Sequence, residues 1–191
     1  MKYAAANGVR VINMSIGSNQ KLNIDDMTTK DYDEIKHYAL ELEQIIGNNP
    51  QMAIVVAAGN DSGWIDQDSI YNFPCGVGLP NVVCVGALTS SGRLASFSNI
   101  PVKKNIRMVY ASGTNIYSTY PTSMCTDGMK IDLSTPYDVF EKDFAKSCLP
   151  AVGDKSRIIP MSGTSMATPI VTRLLAQIMK EDTKLQGAAA I

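Results

Sequence analysis

The sequence predicts an α/β fold of the doubly wound kind, a mostly parallel sheet with helices on both faces. Three observations predict it. The runs VRVINMSIG (9–17), MAIVVAAGN (52–60), VVCVGA (82–87) and IRMVYAS (106–112) are rich in β-branched residues and lack the polar alternation of a half-wet strand. They read as strands of a parallel sheet, the first three as strands buried on both faces. A helical pattern separates the first two runs, which makes a βαβ unit with a right-handed crossover. Two runs end in Gly-bearing loops, SIG and AAGN, at the carboxyl ends where parallel sheets hold their ligands.

The elements follow in chain order. MKYAAANGV reads as the tail of a helix entering the first strand, and Asn7 and Arg10 interrupt it too early for a signal peptide. A chain that opens in mid-architecture reads as a fragment. SNQKLNIDDMTTKD is a polar loop. A helix begins near Asp31, with Glu34 placed for a capping box. Its stripe is Ile35, Tyr38, Ala39, Leu42, Ile45 and Ile46, and Gly47 with the following NNP stops it. Residues 121–160 are polar and irregular, a surface loop with room for a short hairpin. The final helix runs from about Ser165 to Glu181, with Val171, Leu174, Leu175, Ile178 and Met179 on one face. Pro169 fits only in its first turn, which places Ser165 at the helix N-terminus. QGAAAI reads as a frayed tail.

Composition bounds the function. The chain has 191 residues, 45% hydrophobic and 18% charged, with a formal net charge of -1, enough for one domain (1–191) with its own core. That balance argues against a nucleic-acid partner and against a polybasic membrane patch. No apolar run reaches the roughly 18 residues of a spanning helix, so no membrane partner is expected. The four Cys, at 75, 84, 125 and 148, form no CxxC and have no His close in sequence, which argues against a zinc site, and no metal ligand set is assigned. Buried free thiols are the default expectation. One or two disulfides would suit an exported protein.

Ser165 lies in GTSMATP (163–169) and Asn60 in AAGN. An Asn amide and a helix-end N–H aimed at one point can hold a developing oxyanion. Composition and spacing alone favour the plainer alternative, a turn Asn and a capping Ser. GTSMA is one residue from the G-x-S-x-G elbow, but that class needs an Asp and then a His after the Ser. Only 26 residues follow Ser165 and none is His, which excludes it.

Taken together and in order, VINMSIG, VVAAGN, VVCVGALTSSGRLASFSN with YASGTNIYST, and GTSMATP closely resemble the subtilisin-like serine proteases, or subtilases. The resemblance covers residues 1 to about 180, with 121–160 a family-variable region, and implies the C-terminal portion of a peptidase domain. It implies Ser165 as the acyl-forming nucleophile and Asn60 as the side-chain donor of the oxyanion hole, with the Ser165 N–H as second donor. Ser15, Ile16 and Gly17 would pair with an extended polypeptide substrate. Ala58 and Gly59 would line the specificity pocket, whose base falls near Tyr71 and Asn72. The family is often exported to the medium or cell envelope and often binds calcium. The loop Phe73–Asn81 resembles one of its cation sites but differs in length; no cofactor is expected, with a calcium ion as the one the resemblance would allow.

The departures matter more. The family orders its triad Asp, His, Ser, and both earlier members precede the strand that here is VINMSIG, where only eight residues precede Val9. His37, the single His, lies on the polar side of a covering helix and reads as a solvated surface residue; Asp25 and Asp26 match no catalytic block. Ile170-Val171-Thr172-Arg173 replaces the usual His-Val-Ala-Gly, so Arg173 must face solvent or a loop, and Ser112 replaces a Pro. The expectation is therefore a serine endopeptidase domain inactive by itself. It is either a piece of a longer protease or one part of a split enzyme completed by the N-terminal half as a separate chain. The alternative is a catalytically inactive remnant that serves as a binding or structural module.

Overall fold

The AIVVA run, β2 (Ala53–Ala57), is buried along its whole length because both of its faces are covered. In the computed structural model, which describes residues 1–16, 29–65, 73–102, 105–120 and 157–191, the chain divides into two compact units. The first comprises Met1–Gly113 with Gly163–Ile191, and the second Thr114–Ser162. The first unit holds a four-stranded sheet. β1 (Val11–Met14) and β4 (Val82–Leu88) flank β2, and β6 (Met108–Ser112) lies beyond β4. Every pairing is parallel, with Ile12 opposite Ile54, Val56 opposite Cys84 and Val85 opposite Val109. A small parallel pair, β3 (Trp64–Ile65) and β5 (Ile100–Pro101), completes the unit's strands among the described residues.

The period of two along β2 divides its side chains between two cores. Ile54 and Val56 join Ile46, Met52, Val82 and Cys84, with Ala5 of α1 (Lys2–Ala6) and Leu42 of α2 (Thr29–Gly47) packed alongside. Val55 joins Val83, Val85, Ala87, Ala167 and Leu175, the last two from α3 (Thr164–Glu181). Helices on both faces are the doubly wound arrangement. β1, expected to be buried, is at the edge of the sheet among the described residues and only partly covered.

Helix faces follow geometry more strictly than the sequence stripes do. Ile35, Ala39, Leu42 and Ile46 are covered at steps of three and four, whereas Tyr38 is 67% exposed. On α3, Ala167, Leu175 and Met179 are buried, while Leu174 and Ile178 are exposed. Each lies about 100° round from a buried neighbour, at the margin of the stripe. Pro169 lies beyond the first turn, as the sixth residue of α3. Arg173 is exposed as expected.

The tail is not frayed. Arg10 Nη2 donates to the carbonyls of Met179 (2.8 Å) and Leu185 (3.0 Å), and Arg107 Nη1 to Ala188 (3.2 Å). Ala190 and Ile191 pack on the second core. Arg10 thus satisfies a carbonyl at the end of α3, where intrahelical donors run out. Cys75 and Cys84 are disulfide-bonded, against the expectation of free thiols; Cys125 and Cys148 lie outside the described residues. On the surface, Lys2 Nζ meets Glu41 Oε1 at 2.9 Å and holds that carboxyl below its usual range, an exposed pair of little energetic weight.

Asn81 ties α2 to the sheet. It is 1% exposed, and its Nδ2 donates to the carbonyls of Ile46 (3.2 Å), Asn49 (3.2 Å) and Met52 (3.0 Å). Its own carbonyl accepts the Ile54 N–H at 2.8 Å. Asn81→Ala is expected to cost roughly 1–3 kcal/mol by leaving these carbonyls short of a donor. Asn81→Asp should cost more, because a carboxylate would face them. Denaturant midpoints of the two variants check both the loss and the order.

The second unit carries one antiparallel pair among its described residues, β7 (Ile116–Tyr120) with β8 (Arg157–Met161). β8 takes up the end of the stretch read as irregular, and its pairing sets Ile116 opposite Met161. The rest, 121–156, lies outside the described residues.

Candidate active site

β2 and α3 meet at a small knot of polar atoms. Beyond β2 the chain turns at Gly59, whose φ of +99° is open to glycine and strained for other residues. The Gly59 N–H donates to Thr164 Oγ1 at 3.1 Å. Thr164 returns two bonds to the neighbouring Asn60. Its N–H and its hydroxyl donate to Asn60 Oδ1 at 2.8 Å and 3.0 Å. A backbone N–H can only donate, so the oxygen end of the amide faces Thr164 and Nδ2 is its donor end. Thr164 is fully buried, while Asn60 and Ser165 are partly exposed.

This knot also caps α3. The N-cap position is Gly163, which has no side chain to offer. The Thr164 N–H is served by Asn60 from just beyond the end of β2, and the Met166 and Ala167 N–H groups donate to the Gly163 carbonyl. The Ser165 N–H has no partner among the described residues. Ser165 is therefore not the helix cap. It is the second residue of α3, at the positive end of the helix dipole.

The Ser165 side chain is engaged with β1. Its hydroxyl donates to the Ser15 carbonyl at 3.0 Å, and the Ser15 hydroxyl donates to the Ser165 carbonyl at 2.8 Å. Pro169 explains the second bond. In a regular helix residue 169 would donate its N–H to the carbonyl of residue 165, and Pro has none. Asn13 Nδ2 donates to Ser15 Oγ at 2.9 Å, and the Thr172 hydroxyl donates to Asn13 Oδ1 at 2.9 Å. A carbonyl accepts a hydrogen bond but is no base at neutral pH, so nothing in this pairing activates Ser165. His37 is exposed on α2 beside Tyr38, their rings 6.2 Å apart.

Of the residues singled out in the sequence, Ser15, Asn60 and Ser165 are brought together. Gly59 is buried beside them, and Ile16 is 67% exposed. Ala58 is 2% exposed and packs in the first core, so its side chain is core rather than an open wall. Gly17, Tyr71 and Asn72 lie outside the described residues. Thr164, which organises the knot, was missed; its place between Gly163 and Ser165 was legible, but its two-way bonding depends on β2. No group of three or more His, Cys, Asp or Glu side chains suited to a metal occurs among the described residues, and no helix there is long and apolar enough to cross a membrane.

Comparison with known proteins gives the family and the fold. The model of the subtilase family, peptidase S8, matches residues 1–190. The chain belongs to the subtilase family. A curated relative, subtilisin DY of Bacillus licheniformis, is 28% identical over 137 residues, 72% of this chain and 42% of the relative. Among solved structures, the prenylagaramide maturation protease PagA superposes with a TM-score of 0.56 at 22% identity, over 98% of this chain and 50% of that one. A cold-adapted subtilisin-like serine proteinase gives a TM-score of 0.54 at 24% identity, over 99% of this chain and 49% of that one. These likenesses establish a subtilisin-like fold. The subtilase chain described here spans about half the length of the relatives it matches.

Proposed function

We propose that this chain is the nucleophile-bearing portion of a serine endopeptidase domain. Its substrate is an extended polypeptide, and its acid and imidazole partners come from a further segment or a second chain. The observation that carries the reading is the Asn60–Thr164 lock, which sets an amide donor next to a serine at a helix N-terminus. Substrate backbone lies along Ser15, Ile16 and Gly17. The Ser165 hydroxyl first leaves the Ser15 carbonyl and gives its proton to the incoming imidazole. Ser165 Oγ attacks the scissile carbonyl carbon, and the oxygen gathers negative charge between Asn60 Nδ2 and the Ser165 N–H. Collapse of that intermediate breaks the C–N bond, and the leaving amine takes the proton from the imidazolium. Water then hydrolyses the acyl-enzyme by the same route in reverse.

The test compares this chain alone with the longest product of its gene, or with the chain co-expressed with an Asp- and His-bearing segment. The chain alone is expected to resist a fluorophosphonate probe. The completed protein should label at Ser165 and hydrolyse peptides, and Ser165→Ala should abolish both. Hydrolysis unchanged by Ser165→Ala would overturn the assignment.

A further inference from the structure

Asn99 is 1% exposed and brackets Asn60 from both sides. Its backbone N–H donates to the carbonyl of Gly59, the residue before Asn60, at 3.0 Å. Its Oδ1 accepts the N–H of Asp61, the residue after, at 3.0 Å, and the N–H of Gly63 at 2.8 Å. Its Nδ2 donates to Asp61 Oδ2 at 3.2 Å. Two N–H groups converging on one oxygen curl the intervening backbone tightly. Ser62, between them, has a φ of +55°, which a non-glycine residue holds only when its surroundings impose it. The small β3–β5 pair places Asn99 there, since the next residue, Ile100, registers with Trp64.

We infer that Asn99 is the positioning residue of the oxyanion donor: it fixes the loop 59–63 so that the Asn60 amide, already held at Oδ1 by Thr164, keeps one orientation toward Ser165. The inference deepens the proposed function and rests on it. Thr164 holds the Asn60 amide at Oδ1 and the backbone only on the near side, through the Gly59 N–H, and makes no bond to the chain after Asn60. Asn99 holds that backbone on both flanks, and none of these bonds runs to Ser165 or Ser15. Asp61 contributes the carboxylate that holds the Asn99 amide the right way round, so its Oδ1 stays on the two N–H groups.

The experiment uses the completed, peptidase-competent protein. Asn99→Ala is expected to lower kcat roughly 10- to 100-fold, the scale of a misplaced catalytic group, with KM little changed. On an Asn60→Ala background it should lower kcat no further. Asn99→Asp sets two carboxylates against each other and should also lower kcat. The exchanged pair Asn99→Asp with Asp61→Asn restores the side-chain bond with donor and acceptor traded, keeps an oxygen for the two backbone N–H groups, and should recover most of it. That rescue also serves if Asn99→Ala does not fold. If Asn60→Ala impairs catalysis but the Asn99→Ala loss multiplies with it, or the exchanged pair gives no recovery, the Asn99 role falls alone. If Asn60→Ala leaves kcat unchanged, the oxyanion reading falls and this inference with it.

Discussion

Asn60→Ala in the completed protease is expected to lower kcat by ~10²–10³, about 3–4 kcal/mol of transition-state stabilisation, a magnitude carried over from subtilisin itself. KM should change little, because the amide meets its full partner only when charge develops on the oxygen. The variant has a second consequence. Thr164 is fully buried and gives both its N–H and its hydroxyl to Asn60 Oδ1. Removing that oxygen leaves buried donors unpaired, at a cost of roughly 1–3 kcal/mol in stability. Asn60→Asp separates the two effects. It keeps an oxygen for Thr164 and so should hold the α3 N-terminus, but it sets a carboxylate where the oxyanion forms. The expected pair of results is a lowered denaturant midpoint only for Asn60→Ala and a collapsed kcat for both. An Asn60→Asp enzyme with near-native kcat would remove Asn60 from the oxyanion hole.

The middle of the sheet was legible because β2 and β4 are buried on both faces. AIVVA and VVCVGAL carry no polar residue to confuse their assignment, and their order fixed the βαβ unit. β1 misled for the same reason. VINM looks like a buried strand, yet its cover among the described residues is partial, and a sequence does not reveal where in the sheet a strand falls. The margins of the helix stripes were illegible in a different way. Tyr38, Leu174 and Ile178 sit one step from residues that are covered, and only the tertiary packing decides on which side of the boundary they fall. At the site, Ser165 and Asn60 were legible as motif residues. Their geometry was not, because it depends on contacts over more than one hundred positions: Thr164 with Asn60, and Ser165 with Ser15. The tail was misread because two cations far upstream, Arg10 and Arg107, supply its donors.

Gly113→Ala is the second large effect, and it links packing to catalysis. An added Cβ would lie 2.5 Å from Ala87 Cβ, 3.1 Å from Ala87 Cα and 2.9 Å from the Gly163 carbonyl oxygen. Ala87 is fully buried in the middle of the sheet and has no side chain to swing aside. The yielding partner is then Gly163, which is already tethered to this point by its N–H on the Gly113 carbonyl at 2.7 Å. Gly163 immediately precedes Thr164 and Ser165, so relief of the clash shifts the start of α3 and the bonds that orient Asn60. Overpacking of this kind costs about 1–3 kcal/mol in stability. In the completed enzyme kcat should fall as well. Gly92→Ala provides the contrast. Gly92 has a φ of +75° but nothing within 4 Å of its added Cβ, so that variant meets strain of about 1–2 kcal/mol without displacing a neighbour. The two variants are expected to lose comparable stability, measured by denaturant midpoint. Only Gly113→Ala should lose kcat, and equal activity in the two would mean that α3 absorbs the displacement before it reaches Ser165.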